Sequence, residues 1–359
     1  MALGYFWATT CLGLLLAIFA LDIMGVFSRK NHFEVDGRTV LITGGSQGMG
    51  RGLAKLLAEK GANVVIVARN QQKLDDALKY IKAAARNPQS QRFLAISADA
   101  TKPEENERII SEITAWNNGN PPDVVWANAG TAHPDLFLNT PPDLLKSQMN
   151  INYFAAAFLA QSTLRAWLKP SSSKTDISDA KIAKPRHLIM TSSVVCFAGL
   201  AGYAPYSPPK SAMRSLADTL RSEVNLYNGA RRKDPVNGPP AAIEIHCVCP
   251  GTITSPGHEE EQKTKHEVTK MLEEDDPAQN EDEVARAAVR GLEKGGYLIT
   301  TQFIGHALRA GAMGGSPRNN WLVDTVFSWI VSLAWLFIGP DMEGKVFKYG
   351  KKHGLPATK

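Results

Sequence analysis

Residues 38–43 read RTVLIT and run without a break into Gly44-Gly45-Ser46-Gln47-Gly48-Met49-Gly50. After the glycines, Leu53, Ala54, Leu56, Leu57 and Ala58 recur at helical spacing up to Gly61, and 63–68 then reads NVVIVA. Short apolar runs bounded by turn residues predict buried strands, and the 3.6-residue spacing between them predicts a helix. Strand, glycine turn, helix, strand is a βαβ unit, whose crossover makes the two strands parallel. Glycines there let the backbone turn tightly and come close to a pyrophosphate, which then faces the helix N-terminus. A cluster so bracketed predicts a dinucleotide site, with Gly44, Ser46, Gln47, Gly48 and Gly50 as its lining.

The end of the second strand bears on the choice of nicotinamide cofactor. A carboxylate there would hold a ribose 2′-hydroxyl, whereas a cation accommodates a 2′-phosphate. The chain has Ala68-Arg69 and then Lys73, with no carboxylate before Asp75, which points to NADPH. Alternation continues outward. Helical patterns at 74–85, 104–116, 144–168 and 214–227 separate strand patterns at 92–97, 122–126, 187–191 and 243–248. The expected fold class is therefore α/β, a Rossmann-type doubly wound parallel sheet in a single domain over 36–305. Asp99 and Asn128 fall at strand C-terminal ends, where open α/β sheets bind ligands, although each could equally cap a turn. Residues 170–185, rich in Ser, Lys and Asp, read as a surface insertion.

A second constellation follows the strand at 187–191. Ser192 and Ser193 lead through a Gly/Ala-rich loop to Tyr206, and Lys210 comes four residues later. Pro208 and Pro209 fit only the first turn of a helix, which places the helix start beside Tyr206 and puts Lys210 on the same face. A free phenol titrates near about 10. A lysine cation beside it is expected to lower that value toward the range of a general acid or base, while a serine hydroxyl holds a carbonyl oxygen.

Composition sets bounds. The chain has 359 residues, 44% hydrophobic and 21% charged, with a formal charge of +5. No basic run is interleaved with aromatics, so nucleic acid is set aside as a partner. Cys11, Cys196, Cys247 and Cys249 lack zinc spacing, so no metal is expected and the thiols read as reduced, in keeping with a cytosol-facing domain. Tyr5 to Phe27 is apolar save for Asp22, long enough for the ~20 residues that span a bilayer. The charges Arg29 and Lys30 follow it, which predicts an uncleaved anchor over 1–30 with the next domain in the cytosol. A second apolar run, Trp321 to Ile338, precedes Lys345, Lys348, Lys351 and Lys352. The segment 306–359 is expected to meet membrane lipid, with a re-entrant or surface-lying element favoured over a single crossing.

Taken together and in order, Thr43-Gly44-x-x-x-Gly48-x-Gly50, Asn128-Ala129-Gly130, Asn152, Ser192/Ser193, Tyr206-x-x-x-Lys210 and Pro250-Gly251 resemble the classical short-chain dehydrogenase/reductase family over about residues 36–255. Within it the chain is similar to the branch that reduces long-chain 3-keto sphingoid bases. The glycine loop, the Arg69…Lys73 pair, the terminal apolar segments and the loop 254–265 (TSPGHEEEQKTK) carry that similarity. Pro208-Pro209 and Gln47 depart from the common family pattern without removing a catalytic group.

The resemblance implies NADPH-dependent reduction of a 3-keto sphingoid base at the cytosolic face of the endoplasmic reticulum membrane. Tyr206 would be the proton donor, Lys210 would tune it and hold the nicotinamide ribose, and Asn152 would position a water. The family spacing of thirteen residues before the tyrosine selects Ser193 over Ser192. Arg69 and Lys73 would take the 2′-phosphate, Asp99 the adenine, Asn128 the pocket wall and Thr252 the cofactor, with a substrate loop near 252–280. The family's helix-to-helix pairing would make a homo-oligomer, against which the insertion and the membrane segments stand. A membrane-anchored reductase of steroids or retinoids is the competing reading, and a non-catalytic scaffold the reading from another class.

Overall fold

The seven-residue glycine turn sits where two oppositely propagating halves of one sheet meet. The computed structural model describes residues 30–169, 183–235, 237–274 and 276–354. The N-terminal anchor expected over 1–30 and most of the 170–185 insertion therefore lie outside the described residues. Strand β1 (Thr39–Thr43) is buried at all five positions, as a strand covered on both faces must be. It is followed by α1 (Gly48–Glu59), β2 (Asn63–Ala68), α2 (Gln71–Ala83), β3 (Phe93–Ser97), α3 (Pro103–Trp116) and β4 (Val124–Ala127). The second half comprises α4 (Pro142–Met149), α5 (Ala155–Trp167), β5 (Arg186–Thr191), α6 (Ser207–Lys233) and β6 (Ile243–Cys249). Next come α7 (Pro256–Thr264), α8 (Glu267–Leu272), α9 (Glu281–Glu293), β7 (Leu298–Thr300), α10 (Phe303–Gly311) and α11 (Trp321–His353).

All strands pair in parallel, in the order β3-β2-β1-β4-β5-β6-β7. Propagation reverses between β1 and β4, and open α/β sheets bind ligands at such a crevice, beyond the strand C-termini. Two apolar layers hold the sheet. One joins α3, α5 and α6 to one face through Ile109, Leu159, Trp167 and Met213. The other joins α1, α2 and α9 to the opposite face through Leu53, Leu57, Leu74, Val284 and Leu292. Each buried Leu or Ile contributes about 1.5–3 kcal/mol of transfer free energy.

The elements depart from the sequence reading in four places. β7 escapes notice because three residues are too few to show a period. α9 begins at a full capping box, Asn280 with Glu283. The substrate loop near 252–280 contains two short helices. The division expected at 305/306 falls inside α10, and the apolar run continues as a 33-residue helix through Pro340. That helix is fastened to the domain: Asp324 accepts from Arg309 Nη2 at 2.7 Å and from the Asn319 and Asn320 amides, with Asp324 and Arg309 themselves buried.

Candidate active site

One cavity of about 1060 Å³ runs from the glycine turn, past Ser193 and Tyr206, to the inner face of α11. At its first end the backbone itself is the ligand cradle. Gly44 has φ +69°, open to glycine without strain. A Cβ on Gly50 would stand 2.2 Å from the Gly44 carbonyl, so only glycine lets α1 start this close to the turn. Gln47 caps α1 without a side-chain bond and no acidic residue lies in the first turn. The helix N–H groups are thus left for an anion, as a pyrophosphate site requires. Lys73 Nζ donates to Gln47 Oε1 at 3.2 Å, which brings its cation to the turn, and Arg69 lines the same end. Asp75 is held away by Gln71 Nε2 at 2.8 Å. These donors and the cleft fit a phosphorylated dinucleotide.

Asp99 lines that end as well, its Oδ1 accepting from the Thr101 amide and hydroxyl. Burial raises its pKa, but the Thr101 hydrogen bonds and Arg69 outweigh it and leave the carboxyl below its usual range. Asn128 braces the turn: its amide N–H donates to Thr43 Oγ1, and its Oδ1 accepts from Thr191 Oγ1, which in turn accepts from Trp126 Nε1. Thr252 also lines the cavity, with its hydroxyl donating to Asp276 at 2.6 Å.

The reacting groups stand where β5 ends and α6 begins. Tyr206 is the residue immediately before α6, and Lys210 is reached one turn in, as the proline pair required. The two serines separate by their partners. Ser192 is 1% exposed and donates to the Lys210 carbonyl at 2.7 Å, whereas Ser193 Oγ makes only long contacts of 3.5 Å and hydrogen-bonds Tyr206. Ser193 is therefore the hydroxyl available beside the phenol.

The electrostatics run against one expectation. Burial, and then the charge of Glu261, push the Tyr206 phenol well above its ordinary value rather than below it. Lys210 Nζ donates to the Thr191 carbonyl at 3.0 Å and lies over the Tyr206 ring, 5.5 Å from the centroid. Burial in turn pulls the Lys210 ammonium down to about 8. Asn152 is wholly buried, donates to the Thr131 carbonyl (2.8 Å) and Gln148 Oε1 (3.1 Å), and accepts from the Thr131 amide (3.1 Å). Its two N–H groups are spent on the wall behind the cavity, while its Oδ1 keeps a second lone pair. The 144–168 helix is interrupted there by one π turn, Asn150–Phe154.

Gly130 was missed as a site residue. A Cβ there would meet Asn152 Oδ1 at 2.7 Å and Lys210 Nζ at 3.1 Å. Its place in Asn128-Ala129-Gly130 was the available signal. Tyr203 and Glu261 were missed too, and their meeting across 58 residues leaves no local trace. The far end of the cavity is apolar, built by Phe303, Ile304, Phe327, Val331, Ala334 and Trp335.

A model of the short chain dehydrogenase family matches residues 38–266, and the chain belongs to that family. A protein of Aspergillus fumigatus named 3-ketodihydrosphingosine reductase ksrA is 50% identical over 331 residues, 92% of this chain and 89% of that one. The 3-ketodihydrosphingosine reductase gsl-3 of Neurospora crassa is 41% identical over 353 residues, 98% of this chain and 93% of that one. Among solved structures, a short chain dehydrogenase from Burkholderia cenocepacia in complex with NADP has a TM-score of 0.58 at 18% identity, covering 79% of this chain and 95% of that one. That likeness shows the fold.

Proposed function

We propose that the protein uses NADPH to reduce the 3-keto group of 3-ketodihydrosphingosine to the alcohol of dihydrosphingosine. The observation that carries this is the single cavity joining a dinucleotide cradle, a Ser193/Tyr206/Lys210 set and a long apolar wall. A long-chain amino ketone needs all three parts. Arg69 and Lys73 receive the 2′-phosphate, the Gly44–Gly50 turn and the start of α1 the pyrophosphate, Asp99 the adenine and Thr252 the nicotinamide end. NADPH, when bound, supplies the hydride. Ser193 holds the ketone oxygen and Tyr206 gives it a proton. The raised phenol pKa keeps that proton in place across the neutral range, the form that reduction consumes. Lys210 supplies a cation for the nicotinamide ribose, and Asn152 positions it by fixing Gly130 and Thr131.

The apolar wall supports this substrate over a steroid or retinoid because it belongs to α11, which a match over 98% of this chain to the sphingoid relative of Neurospora crassa must include almost entirely. We place the enzyme on the endoplasmic reticulum membrane with its domain toward the cytosol. Supporting this, an 18-residue window of α11 has mean hydropathy 1.8 and is only 11% buried, and Cys196, Cys247 and Cys249 are free thiols. The test is NADPH oxidation by detergent-solubilised protein with 3-ketodihydrosphingosine, a steroid ketone and a retinal, repeated with NADH. Turnover of the sphingoid ketone with NADPH is expected. Turnover of the steroid or retinal alone would sink the substrate assignment.

A further inference from the structure

The carbon next to the ketone of a 3-keto sphingoid base carries an amine, charged in its ammonium form. Its nitrogen lies about one hydrogen-bond length from the ketone oxygen, so a group that reads it must stand close to Tyr206. A carboxylate reaches the neighbourhood of Tyr206 by way of Tyr203, and its charge is felt at the Tyr206 phenol. The Tyr203 ring lies 5.9 Å from that of Tyr206, and its hydroxyl donates to Glu261 Oε1 at 2.5 Å. Lys265 Nζ reaches Glu261 Oε1 at 2.9 Å and Glu273 Oε2 at 2.5 Å. Two carboxylates thus share one ammonium, with the Lys265, Glu261 and Glu273 side chains 1%, 14% and 16% exposed. One negative charge is left over in a poorly hydrated wall, where an unmatched charge is costly.

Which oxygen is open follows from the partners. Glu261 Oε1 already accepts twice, while Oε2 is 4.0 Å from His258 Nδ1, too long for a hydrogen bond. Among the other carboxylates on the cavity wall, Asp276 is engaged by Thr252 and Gln302, Glu260 by Lys263, and Asp99 at the cofactor end by Thr101, while Glu259 is exposed to solvent. The helices carrying the trio are pinned to the Tyr203 loop. Thr269 Oγ1 donates to the Ala201 carbonyl at 2.8 Å, against Gly202 at φ +93°, where a Cβ would fall 2.0 Å from that hydroxyl.

We propose that Glu261 receives the substrate's ammonium, so that the site reads a 2-amino ketone and not merely a ketone on a long chain. This rests on the sphingoid reading above. It also couples recognition to chemistry. After burial, Glu261 is the next influence holding the Tyr206 phenol up, and a cation seated on it cancels that influence. The phenol then becomes the better acid only when the amino ketone is in place. As the C–H bond forms from hydride, the Tyr206 O–H proton passes to the ketone oxygen and the phenolate is left.

The experiment compares kcat/KM for 3-ketodihydrosphingosine with that for its analogue lacking only the amine, in the full-length wild type. The amine is expected to be preferred on the order of 100-fold, the range for pairing a desolvated charge. In Glu261→Gln that preference should collapse toward parity, and Glu261→Asp should restore part of it, with NADPH-fluorescence titration reporting that the variants fold. Equal use of the two ketones by the wild type, a measurement that needs no variant, would overturn the proposal. So would an undiminished preference in a folded Glu261→Gln. Inability of the wild type to reduce either ketone would instead bring down the sphingoid reading, and this inference with it.

Discussion

Tyr206 is buried beside a carboxylate and Lys210 is buried beneath it, so each is pushed toward its neutral form. For the phenol this means a proton held ready. For the lysine it means a charge that is lost within the working range of an enzyme. The Lys210 ammonium is present below about pH 8 and disappears above it, so kcat/KM is expected to fall as pH rises through about 8. A profile flat through that value would show that the cation is not needed. Tyr206→Phe removes the proton and keeps the ring. Activity should drop about 10²–10⁴-fold, with NADPH binding unchanged by fluorescence titration. At this scale the sequence pointed to residues that the fold gathers around one cavity, but not to their partners. Ser192 and Ser193 are alike in a strand pattern; the family spacing favours Ser193, and the Lys210 carbonyl, eighteen residues on, engages Ser192.

Between residues and the whole stand the β4–α4 connection and the π turn that joins α4 to α5. Asn152 braces Thr131, Gly130 passes through the gap between Asn152 and Lys210, and the three form one wall. Gly130→Ala must move one of those neighbours. Overpacking of this kind costs about 1–3 kcal/mol, to be read as a lower denaturation midpoint. A larger effect is expected on kcat, since the Cβ would push first on Asn152 Oδ1 at 2.7 Å and then crowd Lys210 Nζ at 3.1 Å. An alanine variant of unchanged kcat would remove the wall from the account. The βαβ start, six of the seven strands and the Tyr206 helix were legible because period and punctuation are local signals. The π turn was not, since one extra residue in a turn barely disturbs helical periodicity over 144–168. The short helices α7 and α8 were hidden for a related reason: the stretch is polar, and long-range ties such as Thr269 to Ala201 hold it.

Across the whole molecule, the sheet supplies the cofactor end of the cavity and α11 the lipid-like end. α11 presents Trp329, Leu333, Leu336 and Phe337 outward while its other face closes the site. The segment after residue 305, expected to meet membrane lipid, also lines the cavity. Its fastening is the Asp324–Arg309 pair, the two side chains 5% and 9% exposed. Asp324→Asn leaves Arg309 buried without its countercharge, and loss of one member of such a pair costs about 3–5 kcal/mol. Thermal denaturation in detergent should show a lower midpoint, together with a raised KM for the long-chain ketone. A KM that stays put would mean that α11 does not shape the substrate end. The most direct test of the whole account is to supply NADPH deuterated at the transferred position and analyse the sphingoid product by mass spectrometry. One deuterium at C3 of dihydrosphingosine, with product lost in Tyr206→Phe, is expected. NADPH bound tightly by the wild type with no labelled sphingoid product would contradict it.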